Sequence, residues 1–142
     1  MKVRTMVTTL LFAALLLACN TPAFACGHCV EDKIASVYDH AVVTRALAMK
    51  HQVLFFAIVG QLAGTATERQ ILERAAASAS GVDAGSARIS TETASLSIAF
   101  DPRRISFAAV ERSLRNKLAR RQLSLQLVWI MDKPAAFKTP SQ

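Results

Sequence analysis

Gln52-Val53-Leu54-Phe55-Phe56-Ala57-Ile58-Val59, closed by Gly60, is the stretch that decides the fold. It is continuously apolar and rich in β-forming residues. At eight residues it is far short of the 20 or so that cross a bilayer. A run of this kind reads as a central strand buried on both faces of a sheet. Gly60-Gln61-Leu62-Ala63-Gly64 behind it reads as a loop.

Outward toward the C-terminus, helix and strand signals alternate. Thr67 with Gln70 has the form of a capping box, and Ile71, Leu72, Ala75, Ala76 and Ala79 supply an apolar stripe that Gly81 ends. Ala87 and Ile89 alternate with Arg88 and Ser90 as a short strand, and Thr91-Glu92-Thr93 turns the chain. Leu96, Ile98 and Phe100 then alternate with Ser95, Ser97 and Ala99 as a half-buried strand that Asp101-Pro102 breaks. Ser106 can cap a helix whose inner face is Phe107, Val110, Leu114 and Leu118. A last strand, 122–131, places Leu123, Leu125, Leu127 and Trp129 on one face. Residues 132–142, with Pro134 and Pro140, read as a flexible tail.

Strand, helix, strand, strand, helix, strand is the ferredoxin-like split βαβ order, an α+β βαββαβ sandwich with both helices on one face of a four-stranded sheet. The other face needs a cover, because the first strand is apolar on both sides and the last carries Val128 and Ile130 there. The segment from Cys29 to Met49 can supply it. Val30, Ile34, Val37, Tyr38, Ala41 and Val42 recur at three- and four-residue spacing, and Glu31 and Asp32 lie in the first turn, where a helix dipole favours acids. One N-terminal amphipathic helix of about five turns is expected. A homodimer through the open sheet face is the alternative cover.

Within residues 52–131, Gly81-Val82, the strand Leu96-Ser97-Ile98-Ala99-Phe100-Asp101-Pro102 and Ile105-Ser106 resemble the heavy-metal-associated domain family. These are the small ferredoxin-like domains of copper chaperones, metal-pump N-termini and the mercury-binding protein. The resemblance implies soft-metal binding through a Cys-x-x-Cys in the loop after the first strand. Here that loop is Gly60-Gln61-Leu62-Ala63-Gly64-Thr65-Ala66, with Gln61 in place of methionine and Ala63 and Ala66 at or near the cysteine positions. The family's site is therefore degenerate in this chain.

The thiols lie upstream, in Cys26-Gly27-His28-Cys29. Lys2 and Arg4, the apolar run from Leu10 to Ala18 and Ala23-x-Ala25 make residues 1–25 a signal peptide cleaved before Cys26, which implies a periplasmic or secreted protein. Leu16-Leu17-Ala18-Cys19 also resembles a lipobox, so the alternative is a lipoprotein anchored to the membrane at Cys19. The domain plan is then 1–25 signal, 26–50 thiol motif and N-terminal helix, 51–131 ferredoxin-like domain and 132–142 tail. Removal of 1–25 takes Lys2 and Arg4 and no acids, so 17 basic residues fall to 15 against 10 acids and the formal charge falls from +7 to +5. The late basic residues, from Arg103 to Arg121, lack the aromatic or glycine interleaving of a nucleic-acid module, and no nucleic-acid partner is expected. They read as a solvated face that favours anionic surfaces.

A thiol pair at a helix N-terminus is stabilised as thiolate by the dipole and the free N–H groups. Paired thiolates suit Cu(I), Zn(II) or Hg(II). The metal-ligand candidates are Cys26, Cys29 and His28, with a metal-transport or envelope protein as the partner class. His40 stands about 16 Å along the helix from Cys29, and neither it nor His51 shares an ion with that motif, so both read as surface histidines. Two other functions fit the same residues. One is a non-catalytic interaction domain whose cysteines form a structural disulfide. The other is thiol–disulfide exchange, for which Cys-Gly-His-Cys has the chemistry while the surrounding element order does not match. No phosphate loop, nucleophile–base pair or paired carboxylates mark an enzyme: Asp101 and Glu111 are not placed as an acid/base pair.

Overall fold

In the computed structural model of the protein, the structure describes residues 29–133. Residues 1–25, expected as a signal peptide and including Cys19, lie outside the described residues, as do Cys26, His28 and the residues beyond Lys133. Eight elements follow one another: α1 (Val30–Val37), α2 (His40–Ala48), β1 (Gln52–Val59), α3 (Ala66–Ala77), β2 (Arg88–Ser90), β3 (Ser95–Phe100), α4 (Phe107–Ala119) and β4 (Ser124–Met131). The strands form one antiparallel sheet in the order β2-β3-β1-β4, the ferredoxin-like arrangement.

β1 is central and covered on both sides, as its unbroken apolar run requires. Leu54, Phe56 and Ile58 face α3 and α4 and join Leu72, Leu114 and Leu118 in the larger core. Val53 and Phe55 point the other way, into a second cluster with Val37, Val43, Ala46 and Met131. The N-terminal segment therefore covers the second face of β1 and β3.

That segment is two helices rather than one. The apolar spacing continues across Tyr38-Asp39 and gives no sign of a break, but tertiary bonds impose one. Asp39 adopts an extended conformation and caps α2, its carboxylate accepting from Val42 N at 3.1 Å. Ser97 Oγ, buried on β3, donates to the Val37 carbonyl at 2.7 Å and takes up an acceptor that α1 leaves open at its end. Arg88 on β2 holds the other Asp39 oxygen at 2.9 Å through Nε and 2.8 Å through Nη2. The break lets α1 lie along β3 and α2 turn back across β1.

Two further expectations shift. The cap of α3 is Thr65, two residues earlier than the Thr67–Gln70 pair: Thr65 Oγ1 accepts from Glu68 N at 3.1 Å, and Glu68 Oε2 accepts from Gly64 N at 2.9 Å. Trp129 does not share a face with Leu125 and Leu127. Phe55 pairs with Trp129 but Phe56 pairs with Leu127, so Val128 is a surplus residue in a β-bulge and the alternation of β4 changes phase there. Trp129 stacks on Phe55 with ring centroids 5.8 Å apart, on the side of the N-terminal helices. Other expectations stand as read: Ser106 caps α4 through Ala109 N, and Gly81 has φ +89°, where a Cβ would come within 2.7 Å of Ile105 Cδ1 and Val110 Cγ2.

Candidate functional site

The loop after β1, residues 60–66, is exposed apart from half-buried Leu62. Gly60 enters it at φ +137°, with Leu123 Cδ2 2.7 Å from the position of a Cβ, and Gly64 turns it into the cap of α3. Ala63 and Ala66 present methyl groups to solvent, and no residue of the loop carries a thiol, imidazole or carboxylate. The loop lacks the donors of a metal site.

Of the sequence-predicted donors, Cys29 is described. It is exposed and is the N-cap residue of α1, with φ −56° and ψ 154°, and its carbonyl accepts from Lys33 N at 3.2 Å. Its thiol does not cap the helix. Glu31 and Asp32 add negative charge to the same turn.

The bonds along α1 fix which end of the sheet this is. Lys33 Nζ donates to the Thr93 carbonyl at 2.6 Å. Ser36 Oγ bonds with Thr93 Oγ1 at 2.6 Å and with Ser95 Oγ at 2.9 Å, and Thr93 and Ser95 close the triangle at 2.7 Å. Val37 lies opposite Ser97. Helix α1 thus advances alongside β3 in the same direction, starting at the turn between β2 and β3. Ile58 N donates to the Ala94 carbonyl, so β1 arrives at that same end and delivers loop 60–66 there. A groove in which Ser36 faces Gly64, Ala66 and Arg69 lies between them. Cys29, one turn before Lys33, therefore stands at the end of the sheet from which the donor-free loop emerges.

At the opposite end lies a cluster that sequence spacing did not bring together. His51, expected at the surface, is 13% exposed; Nδ1 lies 2.6 Å from Asp83 Oδ2 and Nε2 lies 3.6 Å from Asp101 Oδ2. Arg103 grips Asp101 with Nε at 2.9 Å and Nη2 at 3.2 Å, and its own N–H donates to Oδ1 at 3.0 Å. The Arg103 guanidinium and N–H hold the Asp101 carboxyl below the ordinary carboxylate value, with His51 adding to the effect. Both imidazole nitrogens face carboxylates, so the cluster pins the exit of α2 to the domain. The Asp83-to-Asp101 spacing of eighteen residues is visible in sequence, but nothing in it announces that His51 lies between them. Among the described residues no group of three or more His, Cys, Asp and Glu side chains is arranged to hold a metal ion. His40 is exposed at the start of α2, and Glu111 is taken up by Arg115 at 2.8 Å.

No family model matches the chain, and no curated protein matches it. Among solved structures it is similar to a copper binding domain from HMA7, a P-type ATPase, at 13% identity and a TM-score of 0.41, over 54% of this chain and 92% of that one. It is also similar to oxidized MerP from Ralstonia metallidurans CH34, at 16% identity and a TM-score of 0.43, over 54% of this chain and 96% of that one.

Proposed function

We propose that the protein is an exported, non-catalytic carrier or accessory for a soft metal ion, Cu(I), Zn(II) or Hg(II), held as cargo by Cys26 and Cys29 with His28 as a further donor. In this reading residues 1–25 are removed, 26–50 bring the thiols and their supporting helices, 51–131 are the ferredoxin-like domain and 132–142 a tail. The protein works in the periplasm or outside the cell, with a metal-transport or envelope protein as its partner; lipidation at Cys19 is the alternative that would hold it on a membrane. The observation that carries the reading is Cys29, exposed at the N-cap of α1 and at the end of the sheet from which loop 60–66 emerges. A second cysteine three residues earlier makes a pair suited to a soft ion. Loop 60–66 carries no competing donor, so uptake is assigned to the upstream motif of Cys26, His28 and Cys29.

The test is titration of the reduced mature protein with Cu(I) against a competing chelator. Stoichiometric uptake that is lost in Cys26→Ser/Cys29→Ser supports the proposal, and uptake unchanged in that variant sinks it. A second reading, an interaction domain with a Cys26–Cys29 disulfide, rests on the same Cys-x-x-Cys spacing. It predicts an intact mass two hydrogens lighter than the dithiol and no Cu(I) uptake after reduction. Disulfide transfer to a reduced substrate would point instead to thiol exchange.

A further inference from the structure

The charge of the protein is divided between its layers. Across α3, α4 and the turn after α4 (66–77 and 107–122) there are seven basic side chains and three acids, whereas the rest of the described chain carries seven of each. The whole positive surplus of the described residues therefore sits on the outer helical layer. It is densest where α4 ends: Lys117, Arg120 and Arg121 line a cleft of about 650 Å³ whose apolar floor is Ile71, Ala75 and Leu123, with Glu68 and Gln61 on its rim.

These cations have no evident structural duty. Among the described residues none of Lys117, Arg120 and Arg121 forms an ion pair, although Arg88, Arg103 and Arg115 each have one. Nor do their side chains donate to the last carbonyls of α4: the turn closes through backbone bonds from Arg121 N and Gln122 N to Leu118 and Ala119, with Gln122 at φ +58°. One cation at a helix C-terminus suffices to complement its dipole. Three converging on a concave, part-apolar floor exceed that need.

We propose that this cleft is a docking surface for an acidic segment of a partner protein. Its carboxylates would meet Lys117, Arg120 and Arg121, and an apolar side chain among them would rest on Ile71 and Leu123. Charge complementarity selects the partner's sign. The shape and the placing of apolar groups select its kind. A membrane-binding helix face needs large apolar side chains that insert between lipids. Among the described residues the exposed large hydrophobics, Val30, Met49, Val59, Trp129 and Ile130, all lie off α3 and α4. Among the described residues no exposed aromatic ring stands beside the cations to stack on a base. The inference does not depend on metal binding, since no residue of the cleft belongs to the thiol motif.

The test uses the mature protein and a short fluorescein-labelled peptide of alternating glutamate and leucine, followed by anisotropy. Reversing the cleft with Lys117→Glu/Arg120→Glu/Arg121→Glu should weaken binding at least about tenfold, the sum of three exposed charge contacts turned repulsive. Arg45→Glu/Lys50→Glu/Lys133→Glu changes the net charge equally but leaves the cleft intact, and should stay within about twofold of the parent. Equal loss in both triple variants, or no binding by the parent, overturns the proposal. So does tighter binding to vesicles of phosphatidylglycerol and phosphatidylethanolamine than to the peptide, because the surface would then be a lipid-headgroup site. Circular dichroism melts of both variants keep a folding defect from passing as lost binding.

Discussion

Asp39 shows how much one side chain can decide. Its backbone bond from Val42 N, and next the Arg88 guanidinium, hold its carboxyl below the ordinary value of 3.8. A carboxyl lowered on folding is protonated first in the unfolded chain, so its stabilising effect is complete above the ordinary value and is lost as pH falls through the folded one. Asp101, lowered by Arg103, follows the same sign. Asn at position 39 keeps a capping oxygen but has no charge for Arg88. Asp39→Asn should therefore lower the melting temperature at neutral pH, and the gap from the parent should close below about pH 4 as both chains become uncharged there. A gap that is constant from neutral to acid pH would remove Arg88 from the account. Ser97 is the second test at this scale. Ser97→Ala leaves the Val37 carbonyl buried without its 2.7 Å donor, at a cost of about 1–3 kcal/mol in urea unfolding. Ser124→Ala, on the exposed side of β4, should stay within about 0.5 kcal/mol. A Ser97→Ala cost no larger than that control would mean the bond does not hold α1 in place.

The elements that were plain in the sequence owe their form to local patterns. β1 declared itself by an apolar run, β3 by strict alternation, and α4 by Ser106 and the spacing of Val110, Leu114 and Leu118. The features that were not plain depend on partners distant in the chain. Nothing between Val30 and Met49 breaks the helical period, because the break is made by Ser97 and Arg88. The phase change in β4 is equally invisible, since Leu123, Leu125, Leu127 and Trp129 keep an unbroken two-residue spacing; only pairing with β1 shows Val128 to be surplus. The bulge makes an unusual deletion tolerable. Removing Val128 leaves Leu127 opposite Phe56 and Trp129 opposite Phe55, a regular ladder with every other side chain on its present face. The deletion should melt cooperatively and, because Val128 is only half-buried, cost less than the about 1.5–3 kcal/mol of a fully buried valine. Deleting Ile98 from β3, which has no surplus residue, slips register against β1 and should abolish cooperative melting. Similar behaviour of the two deletions would show that the register is not pinned by side-chain faces.

At the scale of the molecule, the sheet is a partition between two unequal cores. The larger one, under α3 and α4, is the ferredoxin-like core that the element order announces. The smaller one exists because α1 and α2 lie on Val53, Phe55, Ala99 and Met131. The candidate site was legible only as chemistry: the thiol pair and the alanines of loop 60–66 can be read off the chain, whereas the approach of α1 to that loop depends on Lys33 and Ser36 reaching Thr93 and Ser95. A chain beginning at His51 would keep the larger core and all four strands, and would lose the hairpin that covers the sheet's other face. Phe55 would then be shielded mainly by Trp129, itself 39% exposed. An apolar patch of that kind does not stay wet in a soluble protein. The truncated chain should therefore bind a hydrophobic dye and run as a dimer or larger species by light scattering at concentrations where the parent is monomeric. Introducing Phe55→Thr in the truncated chain should restore the monomer, because it removes the largest of the side chains that α1 and α2 bury in the parent. A truncated chain that is monomeric, dye-silent and as heat-stable as the parent would show that α1 and α2 are accessories to the motif they carry rather than part of the fold.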